Sequence, residues 1–497
     1  MGAPSRSIDR DADAPRDHAT RADERAAPTA LGMRVGGSAP NGLAAWIDEF
    51  AATAALAGPL IITSIAQVAI NATSTMMVGR LGADNLAATA LANGIYSSCM
   101  VFSLGLVSAV APIMANERGR RRHAVRELRR TVRQGFWACV AIALPIWLIL
   151  WNVEPLLLFL GQNPASSRGA ALFTHHVQWG LLPQLFYMVL RSFLSVLERP
   201  LWTLLAAVAA ILVNLGVGTT LIFGHLGLPA LGLKGAGIAA ACASTTLFLG
   251  LALVVSIDRR FRRYRLFGRF WVADWPRFRE LMRLGLPIAV TIAFETTIFS
   301  AAVIMMGLIS PTAVAAHAVA LQIGTLGYMV PTGIAQAATV RVGMGRGAGN
   351  REWVTRAGWT AYAMALSASA IVALTVVLAP RALAGAFIDL GEPANGPVIT
   401  LAMSFLAFAA LFLMTDSMQV VAAGMLRGLY DTRVPMLIAG IGYWVIGLPM
   451  GALLAFWAGL GGVGIWLGLG AGLGVVGLWM TLRWARRERL GLLRGLR

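Results

Sequence analysis

Charged residues are scarce in this sequence. They make up 13% of its 497 residues, whereas soluble domains carry roughly a quarter, and the mean hydropathy is +0.70. This composition excludes an ordinary soluble domain. Apolar runs of about 20 residues, long enough to cross a bilayer as helices, recur along the chain. The short alternating segments of membrane β-barrels are missing. We therefore predict an all-α integral membrane protein.

Cysteines and catalytic motifs are also few. Cys99, Cys139 and Cys242 all lie in apolar runs, and this odd set gives neither a disulfide framework nor a metal-binding spacing. The sequence contains no phosphate-binding loop, HExxH motif or Ser/His/Asp pattern. We predict that the protein has no cofactor and draws no energy from ATP hydrolysis.

Lysine is nearly absent, although the formal net charge is +18. Lys234 is the single lysine among 41 basic residues. A strongly basic chain can indicate nucleic-acid binding, but the arginines here collect in alternate loops, as the positive-inside rule requires of a membrane protein. The aromatic and basic segment 259–283 is predicted to be an interfacial helix on anionic lipid. The predicted partner is therefore the lipid bilayer and not nucleic acid.

The apolar runs define the predicted organisation. Twelve spans are predicted, at 52–77, 86–114, 135–159, 170–191, 200–224, 236–257, 284–308, 313–340, 357–380, 396–424, 434–457 and 461–482. Because the basic loops follow the even-numbered spans, both termini are predicted to be cytoplasmic. The predicted domains are a disordered cytoplasmic tail (1–45), a six-helix bundle (46–258), a basic aromatic cytoplasmic linker (259–283), a second six-helix bundle (284–482) and a basic cytoplasmic tail (483–497).

The two predicted bundles are copies of each other. A shift of 228 residues places "PLIITSIAQVAI" (59–70) on "PIAVTIAFETTI" (287–298), and "LAATALANGI" (86–95) on "VAAHAVALQI" (314–323). Six spans per copy mean that both copies enter the membrane in the same direction. Such parallel repeats occur in secondary transporters, with the substrate between the halves. The matched Pro59 and Pro287 are predicted to bend the first helix of each half.

Two acidic residues lie well inside predicted spans, Glu295 in the seventh and Asp416 in the tenth. Each costs roughly 2.5–3.5 kcal/mol at the bilayer centre on insertion scales. No basic residue is expected at comparable depth, so an internal ion pair does not account for them. We predict that they take up a cation or protons. The alternative is structural, with protonated carboxyl groups hydrogen-bonding to a neighbouring helix.

Polar residues near these spans are candidate neighbours of a cation or substrate site. They are Thr291, Thr297, Ser300, His317, Gln322, Gln419 and Gln67. Hydroxyl and amide oxygens suit a hard cation such as Na⁺, but the same side chains also commonly hold membrane helices together. In the repeat, Gln67 matches Glu295, so only the second half carries the charge at this position.

Four stretches resemble a known family. They are "LAGPLIITSIAQVAINATSTMMVGRLGADNLAATALANGIY", "LGLPIAVTIAFETTIFSAAVIMMG" with "AAHAVALQIGTLGYMVPTGIAQAATVRVGMGRGAG", and "TDSMQVVAAGMLRGLYDTRVPMLIAGIGYWVIGLPMG". From about residue 45 to 480, the chain resembles the NorM-like branch of the multidrug and toxic compound extrusion (MATE) family.

The resemblance implies a fold and a function. It implies two six-helix bundles around a central cavity, in a bacterial inner membrane, and export of organic cations or amphipathic drugs in exchange for Na⁺ or H⁺. Glu295 and Asp416 match the branch's cation-coupling residues, so the one metal ion implied is Na⁺ at these carboxylates. We expect a monomeric antiporter and not an enzyme.

One departure from the family pattern concerns the first half. Many members carry an aspartate in the first helix, in a stretch like "DTVMAG", where this chain has "STMMVG" with Ser74 at that position. The resemblance therefore leaves ion coupling to the second half.

Two alternatives remain. A lipid-linked oligosaccharide or metabolite flippase of the same superfamily has a related helix plan, but needs arginines or lysines in its cavity to hold pyrophosphate. An intramembrane enzyme with Glu295 and Asp416 as an acid pair lacks a nucleophile or metal set.

Overall fold

A computed structural model gives the fold of residues 42–120, 123–224, 227, 229–268, 271–388 and 392–495. All the regular structure in these residues is helical. From Glu49 onward the chain forms one compact unit. The tail predicted to be disordered, 1–45, lies outside the described residues up to residue 41, and residues 43–45 already belong to the first helix.

The first half of the chain consists of helices joined by short connections. They are α1 Leu43–Gly79, α2 Ala83–Ser108, α3 Val110–Arg120, α4 Ala124–Trp151, α5 Val153–Phe159, α6 Pro164–Val177, α7 Leu181–Val196, α8 Leu201–Phe223, α9 Leu233–Ile257 and the short α10 Arg259–Arg262. A 3₁₀ turn, Gln178–Gly180, joins α6 to α7.

The second half repeats this plan. Its helices are α11 Trp275–Ile309, α12 Pro311–Gly347, α13 Arg351–Leu378, α14 Pro380–Gly385, α15 Gly396–Gly428, α16 Arg433–Gly440, α17 Leu448–Ala452 and α18 Gly461–Ala485. Two π-helical segments, Ile441–Gly447 and Leu453–Trp457, flank α17. A 3₁₀ turn, Pro393–Asn395, precedes α15.

Side-chain caps fix the starts of several long helices in the second half. Asp274 accepts a hydrogen bond from the Arg277 amide, Ser310 from the Ala313 amide at 3.0 Å, and Asn350 from the Trp353 amide at 2.9 Å. Each cap satisfies a backbone donor that has no partner inside the helix. Prolines in the first turn of α11 and α12 cost no helical hydrogen bond, because a backbone amide in the first turn has no acceptor within the helix.

Eleven helical segments in the described residues are long and apolar enough to cross a membrane, with Asp84–Arg120 (α2 and α3) counted as one segment and Arg433–Trp457 (α16, α17 and the π-helical segments) as another. Each overlaps one of the predicted spans. The fourth predicted span, 170–191, has no such helix, because α6, the 3₁₀ turn and α7 follow one another there. Pro183 lacks the amide hydrogen that would continue the helical series of backbone hydrogen bonds across this turn. The all-helical membrane fold is confirmed, and the twelfth continuous helix is not found.

The two halves meet closely at the end of the molecule where α3 and α12 finish and α11 begins, which we call the basic end. A Cβ on Gly105 would lie 2.5 Å from Ala289 Cα, and one on Gly333 would meet Ile61. The shift of 228 residues relates these two contacts to each other. The same holds for Gly119 against Met344 and Gly347 against Asn116. Contacts between the halves therefore obey the internal repeat.

Buried ion pairs join the halves at the same end. Arg341 of α12 donates to both carboxylate oxygens of Glu49 in α1, at 2.8 and 2.6 Å. Arg277 of α11 donates to Glu117 of α3 at 3.3 Å and to Glu127 at 2.5 Å. The repeat relates Glu49 to Arg277, so the two first helices carry opposite charges and each finds its counterion in the other half.

The segment 259–283 differs from the predicted interfacial helix. Only α10 and the first residues of α11 are helical there, and Phe261 and Tyr264 are buried against the protein core. Trp271 and Trp275 are exposed, and residues 269 and 270 lie outside the described residues. The prediction of one helix over this segment is therefore wrong for the described residues, and its contact with lipid stays a prediction.

Candidate functional site

Glu295 lies in the middle of α11 and is partly buried. The hydroxyl of Tyr328, on α12, donates to Glu295 Oε1 at 3.4 Å. The side-chain amide of Gln419, on α15, donates to Oε2 at 3.4 Å. Three helices from distant parts of the sequence thus meet at this carboxylate.

Asp416 belongs to the same cluster. It lies one turn before Gln419 on α15, is 2% exposed, and interacts electrostatically with Glu295. Its Oδ1 is buried without a hydrogen-bond partner among the described residues, as is Gln419 Oε1. Buried polar atoms normally have partners, so these oxygens can accept a proton or coordinate a cation. The structure therefore brings together the two carboxylates that the sequence singled out.

Three further members of the cluster were not predicted. Tyr328 and Tyr443 both interact electrostatically with Glu295 and Asp416, and Arg427 interacts with Glu295. Tyr443 lies in a π-helical segment, a distortion that is frequent at functional sites. The chain has seven tyrosines, so tyrosines inside apolar spans were an available signal.

Arg427 adds a positive charge near the cluster. No basic residue was expected at the depth of the carboxylates, and this arginine lies in the last turn of α15, about three turns beyond Asp416, and interacts electrostatically with Glu295. The structure shows no salt bridge within 4 Å between them in the part of the chain that it describes. The cluster therefore combines two carboxylates with one nearby positive charge, and not a closed ion pair.

Several predicted neighbours do not join the cluster. The hydroxyls of Thr291, Thr297 and Ser300 donate to carbonyls of their own helix, at 2.8, 2.7 and 3.2 Å. Gln322 is exposed on α12. His317 is 1% exposed and packs edge-on against Trp466, with ring centroids 5.5 Å apart. Of the polar neighbours predicted in the second half, only Gln419 contacts a carboxylate.

The matching region of the first half is neutral at the carboxylate positions. Gln67 matches Glu295 in the 228-residue shift. Just after the fourth and tenth predicted spans, equivalent residues lie 232 positions apart instead of 228. The Arg199 amide donates to Leu194 O, and the Asp431 amide donates to Leu426 O in the same way. Glu198 and Tyr430, with φ of 58° and 63°, occupy the same left-handed position.

The longer shift changes the partners in the repeat. It matches Gln184 to Asp416, and Tyr187 to Gln419. Both carboxylates of the second half are therefore replaced by glutamines in the first half. Gln184 was missed in the sequence because the ungapped alignment does not extend this far.

Ser74 and the matched prolines take structural positions. The Asn214 side-chain amide, on α8, donates to Ser74 Oγ at 2.9 Å. Thr63 and Thr291 each donate to the proline carbonyl one turn earlier, at Pro59 and Pro287. Both helices continue through these prolines, so the bends stay a prediction.

Comparison with known proteins identifies the family. The MatE family model matches residues 59–220 and 287–453, and the two matches begin 228 residues apart. The chain belongs to the MATE family. The resemblance in its sequence is confirmed, as is the prediction of a transporter and not an enzyme.

Two similar curated proteins come from bacteria. The chain is 55% identical over 441 residues to "Probable multidrug resistance protein NorM" of Brucella suis, covering 89% of this chain and 94% of that protein. It is 53% identical over 455 residues to the protein of the same name from Mesorhizobium japonicum, covering 92% and 97%. This MATE transporter is thus a multi-pass membrane protein with relatives along nearly its whole length.

Solved structures share the fold at low sequence identity. One is described as "Outward-facing conformation of a multidrug resistance MATE family transporter of the MOP superfamily", with a TM-score of 0.81 and 19% identity over 89% of this chain and 96% of that chain. Another is the eukaryotic MATE transporter AtDTX14, with a TM-score of 0.79 and 22% identity over 91% of this chain and the whole of that chain.

Proposed function

We propose that this protein is a secondary antiporter that exports cationic or amphipathic drugs in exchange for Na⁺ or H⁺. The proposal rests on the cluster of Glu295 on α11 and Asp416 on α15, in which Asp416 Oδ1 and Gln419 Oε1 have no hydrogen-bond partner among the described residues. The names of the relatives, multidrug resistance proteins at 53–55% identity, support the substrate class.

The cluster suggests how the ion and the drug are coupled. Two carboxylates close together in a low-dielectric environment repel each other when both are charged. The doubly charged state therefore requires a bound cation, or gives way to protonation. Exchange of one monovalent cation for one monovalent drug cation moves no net charge, so the concentration gradient of the ion drives it, and a tenfold gradient supplies about 1.4 kcal/mol. An exchange that moves one net charge inward gains about 2.3 kcal/mol more per 100 mV of membrane potential.

The proposal includes twelve spans, with α6 and α7 together forming the fourth, in two six-helix bundles around a central cavity. It also includes two cytoplasmic termini in a bacterial cell, which the distribution of basic loops supports. The close contacts at the basic end, through Gly105, Gly119, Gly333 and Gly347, would then close the cytoplasmic side. This arrangement corresponds to an outward-facing state, the conformation described for one of the structural relatives.

Efflux of ethidium, a flat organic cation, from energised cells tests this function. We expect Glu295→Gln and Asp416→Asn each to reduce efflux to the level of cells without the protein. Glu392→Gln, at an exposed carboxylate, should pump like the wild type at equal membrane expression. Repeating the assay with and without Na⁺, and with the pH gradient collapsed, identifies the ion. Wild-type efflux by both carboxylate variants would contradict the proposal.

A further inference from the structure

A cavity of about 560 Å³ lies at the basic end, and both halves contribute to its wall. From the first half it is lined by Arg120, His123, Arg126 and Arg130, and from the second by Arg277 and Gly347. We call it the basic cavity. Its volume is within the range of small-molecule sites, roughly 300–1,000 Å³. None of its described lining residues belongs to the cluster around Glu295, so it is separate from the ion site.

The acidic residues of the basic cavity already have partners. Glu117 and Glu127 accept hydrogen bonds from Arg277 at 3.3 and 2.5 Å. Arg130 donates to Glu127 at 3.3 Å and also to Asp274. These carboxylates are therefore engaged by Arg277 and Arg130, which leaves the other two arginines of the cavity to be considered.

Those two arginines keep most of their hydrogen-bond donors free. Arg120 contacts one carboxylate, Glu117, at 3.7 Å, and its side chain is 61% exposed. Arg126 forms no hydrogen bond or salt bridge in the part of the chain that the structure describes. A guanidinium carries five N–H donors in a planar fork that matches the oxygens of a phosphate. Arg120 and Arg126 thus offer donors to an anion in the cavity.

Two like charges face each other across the halves beside the cavity. Arg346 of α12 directly precedes Gly347 and interacts electrostatically with Arg120 of α3. Its Nη1 is buried without a hydrogen-bond partner among the described residues. It also interacts with Glu280, but that carboxylate already accepts from Arg277 at 2.9 Å. Because Arg120 and Arg346 repel each other, an anion between them would draw the halves together.

The chain beside the cavity exposes apolar side chains. Gln134, one turn after Arg130 on α4, donates through its side-chain amide to Val272 O at 3.3 Å. The neighbouring Trp271 and Trp275 are 77% and 64% exposed. Tryptophan is enriched at the level of the lipid headgroups in membrane proteins. Apolar side chains next to free guanidinium groups favour a lipid over a soluble anion.

We propose that the basic cavity binds the phosphate of an anionic lipid headgroup through Arg120 and Arg126, and that the bound lipid favours the state in which the halves meet at the basic end. The cavity has walls from both halves, so a ligand that binds better when they are in contact stabilises that state by its difference in affinity. The inference does not rest on drug export, and its tests use no drug.

Thermal unfolding of the purified protein in dodecyl maltoside tests the site. We expect dioctanoyl phosphatidylglycerol to raise the unfolding temperature of the wild type. Dioctanoyl phosphatidylcholine, with the same chains and no net charge, should raise it less. Arg126→Gln should need about tenfold more phosphatidylglycerol for the same rise, the effect of one lost charge-assisted hydrogen bond. Without lipid it should unfold like the wild type, because Arg126 has no partner to lose.

A matched variant separates the site from general attraction to anionic lipid. Arg262→Gln removes the same charge from an exposed position on α10 and should respond to phosphatidylglycerol like the wild type. Equal responses of Arg126→Gln and Arg262→Gln would overturn the site. Inorganic phosphate distinguishes the source of the phosphate group: a rise as large as that with phosphatidylglycerol at the same concentration would contradict a lipid ligand.

A distance between the halves tests the effect on conformation. Spin labels are attached in the double variant Arg259→Cys with Glu352→Cys, at exposed positions on α10 and α13, after the three native cysteines are replaced by alanine. We expect phosphatidylglycerol to shift the distances from double electron–electron resonance toward their shortest component, and Arg126→Gln to abolish this shift. Distances that the lipid leaves unchanged would contradict its role in bringing the halves together.

Discussion

The two halves of this transporter keep the same helical plan and differ in charge. Where the second half has Glu295 and Asp416, the first half has Gln67 and Gln184, and it adds Arg191 two turns beyond Gln184 on α7. The same reversal occurs at the basic end, where Glu49 matches Arg277. The comparison shows that a repeat can preserve helix packing while the charges at its polar positions diverge.

Exchanging the first matched pair should have the largest effect. We expect the double variant Glu295→Gln with Gln67→Glu to lose ethidium efflux completely, although the number of carboxylates is unchanged. The reason is that a carboxylate at position 67 lies one turn from Ser64, the residue that contacts Arg191, and pairs with that arginine instead of a cation. Cell efflux at matched expression measures this.

The single variant Gln67→Glu controls for damage to the first helix. It should fold, because Arg191 gains a counterion, and it should keep ethidium efflux, because Glu295 is unchanged. Wild-type efflux by the double variant would show that the two halves are interchangeable and would contradict the comparison.

The ion pairs at the basic end give the next largest effect. Arg341→Gln leaves Glu49 and Glu198 without a partner, and breaking a buried pair in this way costs about 3–5 kcal/mol. Arg277→Gln should cost less, because Glu117 and Glu127 retain Arg120 and Arg130 at 3.7 and 3.3 Å. Thermal unfolding in detergent measures both variants. A larger loss for Arg277→Gln would mean that the Glu49 pair does not dominate the contact between the halves.

Glycines at the same contact should respond symmetrically. A Cβ at Gly119 or Gly347 would meet a backbone carbonyl of the other half, and overpacking of this kind costs about 1–3 kcal/mol. Gly119→Ala and Gly347→Ala should therefore lower the unfolding temperature by similar amounts. Gly94→Ala is the control, because its Cβ meets open space. Strongly unequal losses of unfolding temperature would show that the contacts between the halves do not follow the repeat.

The smallest effect is expected on α11 itself. Thr297→Ala removes a hydroxyl that donates to its own helix and should leave ion-dependent efflux within about twofold, since helix-internal hydroxyl bonds contribute little net stability. Efflux measured at several Na⁺ concentrations and pH values checks this. A changed ion dependence would return Thr297 to the cation site.

The sequence predicts both the helical membrane fold and the two buried carboxylates. Apolar runs of span length are unambiguous, and only two acidic residues interrupt them deeply. The interruption of the fourth span depended on Pro183 and a 3₁₀ turn, which hydropathy does not register. Hydroxyl residues near Glu295 were predicted as neighbours because they are adjacent in sequence, yet each bonds within its own helix.

The remaining members of the cluster come from other helices. Tyr328, Arg427 and Tyr443 reach the carboxylates only through the packing of α12, α15 and the π-helical segment, which local sequence does not encode. The match of Gln184 to Asp416 requires the 232-residue shift, and the equivalent helix ends at Glu198 and Tyr430 reveal it. When a repeat is identified by ungapped alignment, equivalent structural positions are therefore needed before residues of the two copies are matched.

Transport by purified protein in liposomes tests the central claim most directly. An imposed Na⁺ or pH gradient should drive ethidium against its own gradient with the wild type. Neither Glu295→Gln nor Asp416→Asn should respond, although both remain folded and bind the dye. Gradient-driven transport by either variant at the wild-type rate would show that the buried carboxylates do not couple the ion to the drug.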